Sequence, residues 1–339
     1  MEKYIERSLL SIINPKYFFW IYIQLLFVNK KKDNQSFQDF EIIIVNDNSI
    51  DNTINIIKNL QAEGFRIKII EHNKNLGVYS SRVESIKNAK GKYILLMDPD
   101  DMILNQDLFQ ELFNYNLKYN LDIIEFSVFH QKEGRKTIFF PSKHELNHYH
   151  RFKKNIIYQP ELSDIIFYKP NTNKNTEIIC RTVWNKLIRK RVLLNSIDFI
   201  ENDFHDKYLI TADDTPINIL NFNFAKNYSN IYLPGYLYNI RAHSMSNGKN
   251  GKEHDKIVSI NYLFYFKLFY RYIKNFRKDL NYFYYDLKKS SFYILKIKEL
   301  NISEYIPITI NFFKTIISDE KISKEFKKYL NNLLSYFIK

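Results

Sequence analysis

The chain has 339 residues, which is enough for one large domain or for one domain with an appendage. Its single cysteine, Cys180, excludes an internal disulfide bond and a cysteine-based metal site. The formal net charge of +13 would suit nucleic acid, a membrane surface or an anionic substrate. Because Lys is enriched together with Asn, Ile, Tyr and Phe along the whole chain, this charge is compositional, and we predict no nucleic-acid partner. The most apolar stretch, residues 17–28, is too short to cross a bilayer.

Helical and extended patterns alternate through the first half of the chain, with short connections between them. Apolar residues at helical spacing mark the helices, and runs of β-branched residues mark the strands. The predicted elements, in chain order, are a helix over 2–13, a strand over 40–45, a helix capped by Ser49 or Asp51 and followed by Gly64, a strand over 66–71, a helix over 79–89 and a buried strand over 93–97. This alternation implies parallel strands, so we predict an α/β fold.

The second half of the chain continues this pattern and then changes character. Its predicted elements are a helix over 105–119, a strand over 122–129, a long variable loop region over 130–176, a basic amphipathic segment over 183–194, a helix opened by residues 211–216, a strand over 231–238 and helices from about 255 to the end. The change predicts one α/β domain over 1–250 and a helical region over 251–339. The C-terminal aromatic residues are expected to pack between helices, and a membrane-facing amphipathic surface is the alternative.

Three carboxylates, Asp98, Asp100 and Asp101, follow the strand over 93–97. Open α/β sheets bind ligands at the carboxyl ends of their strands. Like charges this close together repel each other, and their oxygens suit Mg²⁺ or Mn²⁺, which in turn suits a phosphate-bearing substrate. The alternative is a surface turn rich in Asp, which needs no ligand.

Two other groups of polar residues are candidates for chemistry. Asp213 and Asp214 lie at the start of a predicted helix, where they could act as a general base or simply cap the helix. His144, His148 and His150 have spacing compatible with metal ligands, but they lie in a low-complexity segment, which favours a solvated loop.

Several segments, in this order, resemble the inverting family 2 glycosyltransferases, which have the GT-A fold. The segments that carry the resemblance are 37–49 with 51–53, Asn75-Leu76-Gly77 with Ser81-Arg82, 89–94, Asp98-Pro99-Asp100-Asp101, 183–187, 236–238 and 244–246. The resemblance covers about residues 37–250. It implies a Rossmann-like, mostly parallel sheet flanked by helices, with a helical C-terminal extension.

The resemblance also implies roles for particular residues. Those expected to contact the nucleotide-sugar are Asp47, Asn48, Ser49, Arg82, Asp98, Asp100 and His243. Asp47 would accept a hydrogen bond from the base, usually uracil. Arg82 would lie near the nucleotide or the diphosphate, and His243 and Arg241 would approach the diphosphate.

The implied reaction moves a sugar from a UDP-sugar to a hydroxyl of a glycan, lipid or protein, with inversion. Asp100 and Asp101 would bind Mg²⁺ or Mn²⁺, with Asp101 as the most direct ligand, and the ion would neutralise charge on the leaving diphosphate. Asp214, or failing it Asp213, would be the general base. We expect a protein of the cytoplasm or of the cytoplasmic face of a membrane, with a peripheral membrane contact. The alternative is a non-catalytic or degenerate binding protein with the same fold.

The chain departs from the family at its start. Residues 1–11 already resemble the first helix of the family, so the apolar strand that normally precedes that helix has no counterpart. Residues 15–34 resemble an insertion, because joining Asn14 to Gln35 gives an uninterrupted family sequence. The missing strand is normally internal to the sheet. We therefore expect two strands with unpaired backbone groups, an incomplete nucleotide floor and impaired activity.

Overall fold

The computed structural model describes residues 1–13, 37, 39–133, 138–139, 156–159, 162, 167–168, 177–178, 182–204, 214–241, 252–276 and 281–338. Its first elements are α1 (Glu2–Ile13), β1 (Ile42–Asn46), α2 (Thr53–Ala62), β2 (Ile67–Glu71), α3 (Val78–Asn88), β3 (Tyr93–Leu95), β4 (Met102–Ile103), α4 (Leu108–Tyr119) and β5 (Ile123–Lys132). Those that follow are β6 (Ile138–Phe139), β7 (Ile156–Tyr158), β8 (Phe167–Tyr168), β9 (Glu177–Ile178), β10 (Lys186–Arg189), α5 (Lys190–Phe204), α6 (Asp214–Phe224), β11 (Asn227–Ile240), α7 (Lys252–Phe276), α8 (Asn281–Glu299), α9 (Tyr305–Ile317) and α10 (Lys324–Ile338). The predicted α/β class is confirmed.

β5 lies at the centre of a seven-stranded sheet. The strand order is β3-β10-β5-β11-β4, with β6 paired to β5 and β7 paired to β11. Because β10 is antiparallel to both β3 and β5, while β11 is parallel to β5, the strands β3, β5 and β11 run in one direction. Residues 123–129 of β5 are all buried, as expected for a strand that is paired on both sides.

β1 and β2 form a separate, two-stranded parallel sheet. Within the described residues β1 pairs with β2 alone, and β3 pairs with β10 alone. The carboxylate of Glu41, at the start of β1, accepts hydrogen bonds from Lys90 N (2.6 Å) and Gly91 N (2.9 Å), just before β3. A side chain therefore bridges the starts of β1 and β3, which belong to different sheets.

The structure corrects the prediction of a buried strand over 93–97. β3 has three residues, and all three are half-buried. The apolar run predicts burial, but burial also requires a neighbouring strand on each side, and β3 has one in the described part of the chain.

Three further local predictions need correction. Asn52, not Ser49 or Asp51, is the N-cap residue of α2, although Asp51 Oδ1 accepts a hydrogen bond from Thr53 N at 3.2 Å. The segment 183–194 divides into β10 and α5, because its first part pairs with β3 and β5. The loop predicted over 130–176 is wrong for residues 130–132, which belong to β5, and for β6, β7 and β8; of its other residues the structure describes 133, 159 and 162. The predicted insertion over 15–34 also lies outside them.

The C-terminal helices α7–α10 pack on the α/β part of the chain. One hydrophobic cluster contains Ile123 of β5 and Ile217 of α6 together with Phe266 of α7 and Phe313 of α9. The aromatic residues of this region therefore pack between helices, as predicted. None of the helices in the described part of the chain combines the length and the apolar character needed to cross a bilayer.

Candidate active site

Asp47, directly after β1, fastens the loop that follows β2. Its Oδ1 accepts a hydrogen bond from Leu76 N (2.7 Å) and lies 2.8 Å from Nδ1 of His72, and its Oδ2 accepts one from Gly77 N (2.8 Å). Both carboxylate oxygens therefore have protein partners. The predicted hydrogen bond from a nucleotide base stays a prediction.

Asn48 and Ser49 complete the turn after β1. Asn48 is exposed and has a φ of 59°, a left-handed conformation that Asn adopts more readily than most residues. Ser49 N donates a hydrogen bond to Asn46 Oδ1 at 3.1 Å. This turn leaves the polar side chain of Asn48 accessible at the carboxyl end of β1.

Arg82 of α3 links two of the predicted site carboxylates. Its Nη2 pairs with Asp98 Oδ1 at 3.0 Å, and its Nη1 pairs with Asp214 Oδ1. The Arg82 side chain is 12% exposed, so water screens these pairs weakly. The structure thus brings together three residues that the sequence analysis placed in two separate sites.

The acidic turn over 98–101 is held from behind by β11. Asp98 N donates a hydrogen bond to Tyr236 Oη (3.1 Å), and Tyr236 Oη donates one to Asp101 Oδ2 (2.8 Å). Asn239 N donates a third to Asp101 Oδ1 (2.8 Å). Asp101 is fully buried. Burial, assisted by the charges of Asp98 and Asp100, raises the pKa of Asp101 to about 8, against the hydrogen bond from Asn239.

Asp100 forms an ion pair with one arginine and lies within electrostatic range of a second. Arg241 Nε lies 2.5 Å from Asp100 Oδ2, and the positive charge of Arg7, on α1, also interacts with Asp100 and Asp101. Burial raises the pKa of Asp100, and Arg241 opposes that shift. Arg241 also lies over the ring of Tyr4, 5.2 Å from its centroid. The start of α1 therefore borders the acidic turn.

The residues present suit a divalent cation in part. Within the described residues no group of three or more His, Cys, Asp or Glu side chains is arranged to hold a metal ion. Mg²⁺ in nucleotide sites commonly takes one or two carboxylates together with phosphate oxygens and water. Asp98 and Asp100 fit that smaller set. Asp101 stays a predicted ligand, but its burial and its two hydrogen bonds argue for a supporting role.

Some predicted site residues lie outside the described residues, and some candidate site residues were not predicted from the sequence. Asp213 and His243 lie outside the described residues, as do the three histidines over 144–150. Sequence reasoning gave no role to Tyr236 or Arg7. Tyr236 lies within a predicted strand, and a buried Tyr hydroxyl needs a hydrogen-bond partner. The sequence could therefore have indicated that Tyr236 bonds a nearby polar group, although not which one.

Comparison with known proteins assigns the chain to a family. The family model for Glycosyl transferase family 2 matches residues 2–195, more than half of the chain. The chain belongs to glycosyl transferase family 2. The match includes the acidic turn, Arg82 and the loop after β1, but not α6 with Asp214.

Two relatives and one solved structure illustrate the similarity. The uncharacterized glycosyltransferase EpsJ of Bacillus subtilis is 27% identical over 212 residues, 62% of this chain and 56% of EpsJ. The cholesterol galactosyltransferase of Borreliella burgdorferi is 26% identical over 167 residues, 48% of this chain and 43% of that protein. This family 2 chain thus spans about half the length of these relatives.

The structure of S. aureus TarS 1–349 in complex with UDP-GlcNAc is similar over 99% of this chain and 84% of the TarS chain, with a TM-score of 0.52 and 17% sequence identity. That likeness shows the GT-A fold.

Proposed function

We propose that this chain transfers a sugar from a nucleoside diphosphate donor, a UDP-sugar, to an acceptor hydroxyl with inversion at the anomeric carbon. The observation that carries the proposal is the double ion pair of Arg82 with Asp98 and Asp214. It brings a carboxylate of the acidic turn and a carboxylate at the start of α6 to one guanidinium group. Sugar transfer needs both a site for the leaving group and a separate base for the acceptor.

Asp214 would act as the general base. The acceptor hydroxyl oxygen attacks the anomeric carbon, and its proton passes to a carboxylate oxygen of Asp214. The bond between the anomeric carbon and the diphosphate oxygen breaks, and its electron pair leaves with the nucleoside diphosphate. Attack from the face opposite the leaving group inverts the configuration. Asp213 remains the alternative base from the sequence.

Asp98 and Asp100 would hold a Mg²⁺ or Mn²⁺ ion. Such an ion neutralises charge on a leaving diphosphate. Asp101, whose two oxygens already accept hydrogen bonds, would fix the shape of the turn. Arg82 and Arg241 lie beside the same carboxylates, so they would contribute positive charge towards the phosphates.

The turn after β1 would bind the uracil end of the donor, through Asp47, Asn48 and Ser49. UDP is chosen because the TarS neighbour was solved with UDP and with UDP-GlcNAc. His243 would approach the diphosphate. The acceptor would be a glycan, a lipid or a protein, in the cytoplasm or at the cytoplasmic face of a membrane that the protein contacts peripherally.

A binding protein without turnover is the second candidate. The observation that favours it is that β1 and β3 belong to different sheets in the described part of the chain, because residues that follow both strands would form the donor site. Donor-binding residues that are carried by two separate sheets could bind a nucleotide without holding the sugar in a reactive position.

Calorimetric titration with UDP tests the donor site. We expect binding in the presence of Mn²⁺ that weakens in EDTA and is lost in Asp100→Asn. Asp107→Asn is the matched control, because Asp107 lies at the N-cap of α4 and its side chain makes no capping hydrogen bond. UDP binding with the same affinity in the chain and in Asp100→Asn would contradict this assignment.

Release of UDP from UDP-GlcNAc, UDP-glucose and UDP-galactose separates the two candidates. We expect Asp214→Asn to lower turnover on the order of 10²–10⁴-fold, because a general base is lost, while UDP affinity stays the same. Binding of UDP without release from any donor would favour the binding protein.

A further inference from the structure

A group of buried polar residues meets at one backbone carbonyl, that of Thr182, just before β10. Lys186 Nζ donates a hydrogen bond to Thr182 O at 2.8 Å, and Asn218 Nδ2 donates another at 2.6 Å. Lys186 Nζ also donates to Asn185 Oδ1 at 2.7 Å. We call Thr182, Asn185, Lys186 and Asn218 the Thr182 hub. It uses both lone pairs of one carbonyl oxygen to join the loop before β10 to helix α6.

The hub is anchored in the centre of the main sheet. The Lys186 side chain is fully buried, and its Nζ lies 3.8 Å from Oε2 of Glu125 on β5. Tyr228 Oη on β11 donates a hydrogen bond to that same oxygen at 2.9 Å. Burying a Lys is costly unless its charge is paired and hydrogen-bonded. Three neighbouring strands, β10, β5 and β11, therefore hold this charged group in one position.

Asn218 of the hub and the candidate base, Asp214, lie one helical turn apart on α6. Asp214 is the first residue of α6, and Asn218 lies four residues later, so the two side chains project from the same side of the helix. Asn221, also buried on α6, makes a second hydrogen bond, with Ser196 of α5, but it lies farther along the helix from Asp214 than Asn218 does. The bond from Asn218 to Thr182 sets how far along its axis, and in which rotation, α6 presents Asp214.

We propose that the Thr182 hub positions Asp214 for proton transfer, with Asn218 as the positioning residue. This inference rests on the proposed function, in which Asp214 is the general base. Arg82 holds the Asp214 carboxylate from α3, and the hub holds the helix that carries it. Arg82 therefore fixes the carboxylate of Asp214, and the Thr182 hub fixes the position of α6 relative to the main sheet.

Helix α6 offers a matched control, Asn221. Like Asn218 it is buried, and its Oδ1 accepts a hydrogen bond from Ser196 Oγ of α5 at 2.7 Å. It lies a further turn from Asp214 and takes no part in the hub. Replacing either Asn by Leu removes a buried hydrogen bond between α6 and a neighbouring segment, so we expect both variants to lose stability.

The test compares Asn218→Leu, Asn221→Leu and Asp214→Asn in the full chain. For each we would measure kcat for UDP release, the Kd for UDP with Mn²⁺ and the thermal midpoint. We expect Asn218→Leu to lower kcat on the order of 10–100-fold, because a small displacement of a catalytic group costs about that much. UDP affinity stays unchanged in both Leu variants. Asn221→Leu keeps its kcat although its thermal midpoint falls like that of Asn218→Leu.

The outcomes separate the inference from the function on which it rests. If Asp214→Asn is inactive while Asn218→Leu and Asn221→Leu have the same kcat, the positioning role is overturned and the proposed function stands. If Asp214→Asn turns over like the unmodified chain, the proposed function fails and the inference fails with it. If Asn218→Leu does not fold, Asn218→Ala against Asn221→Ala gives the same comparison. A crystal structure of the Asn218 variant with Asp214 undisplaced from Arg82 would also overturn the inference.

Discussion

The seven-stranded sheet and the sheet of β1 and β2 differ in how completely their strands are buried, although the sequences of β5 and β1 are similarly apolar. In β1 the residues from Ile42 to Val45 are all half-buried, whereas Ile123, Ile124 and Phe126 of β5 are fully buried. Within the described residues β1 has one paired neighbour and β5 has one on each side. Hydrophobic sequence alone therefore does not decide burial, because a strand also needs partners that cover it.

This difference divides the candidate site. The turn over 47–49, which we propose binds the nucleotide base, follows β1 of the two-stranded sheet. The acidic turn rests on the main sheet, where Tyr236 and Asn239 of β11 hold Asp101. Local unfolding starts where buried apolar contacts are fewest. We therefore expect β1 and the turn over 47–49 to unfold locally before the acidic turn over 98–101.

The largest effect should come from truncating a buried residue of the main sheet. Ile124→Ala leaves a cavity in a fully buried position and should lower the free energy of unfolding by about 2–5 kcal/mol. Ile44→Ala makes the same change in half-buried β1, so we expect a smaller loss, roughly 0.5–2 kcal/mol. Urea denaturation of both variants measures the two values. Equal losses would contradict the comparison and indicate that β1 is as tightly packed as β5.

An effect that is smaller per pH unit should appear in the pH dependence of stability through Asp101. The pKa of Asp101 is raised to about 8 in the folded chain, whereas an unfolded Asp titrates near 4. The folded state therefore binds more protons than the unfolded state between these values. The stabilisation is complete below pH 4 and is lost as the pH rises towards 8, by at most ~1.4 kcal/mol per pH unit.

Asp101→Asn removes this titration and keeps a side chain of similar shape. Urea denaturation at pH 5, 6, 7 and 8, in EDTA, should show a steeper decline for the unmodified chain than for Asp101→Asn. Asp107→Asn serves again as the control and should decline in parallel with the unmodified chain. Parallel curves for all three chains would mean that Asp101 is ionised throughout this range.

Local sequence patterns were sufficient to predict on which elements the main candidate site residues lie. Asp98, Asp100 and Asp101 follow a strand, and Asp214 begins a helix, as their neighbours in the sequence indicated. Strand–helix alternation also predicted the fold class. These features depend on residues close together in the chain, which is the range over which periodicity and turn signals act.

Contacts between distant segments could not be predicted in the same way. The pairing of Arg82 with Asp214, and of Tyr236 with Asp101, requires α6 and β11 to lie beside α3 and the acidic turn. The sequence around Arg82 does not indicate that its partner is Asp214, and the sequence around Tyr236 does not indicate that its partner is Asp101. The incomplete burial of β3 was not predicted for the same reason, because it depends on which strands pair with it. The sequence of 183–194 predicts a single amphipathic segment, because a strand of four residues shows no distinct period.

The smallest effect should come from the link between the two sheets. Glu41→Ala removes the carboxylate that accepts hydrogen bonds from Lys90 N and Gly91 N. Because Glu41 is exposed, water can replace these bonds, so we expect a loss of at most ~1 kcal/mol in global stability. The local effect should be clearer. Amide hydrogen exchange of Lys90 and Gly91 should become faster, and so should that of β1, because its tie to the main sheet is lost.

An exposed glutamate elsewhere provides the control for this last comparison. Glu63 lies at the C-cap of α2, and Glu63→Ala removes a similar charge without touching either sheet edge. Its exchange pattern in β1 should match that of the unmodified chain. If Glu41→Ala leaves exchange in β1 unchanged while Lys90 and Gly91 exchange faster, the carboxylate only caps two amides. Faster exchange in β1 as well would mean that the Glu41 side chain helps to hold β1, and with it the turn over 47–49, in place beside the acidic turn.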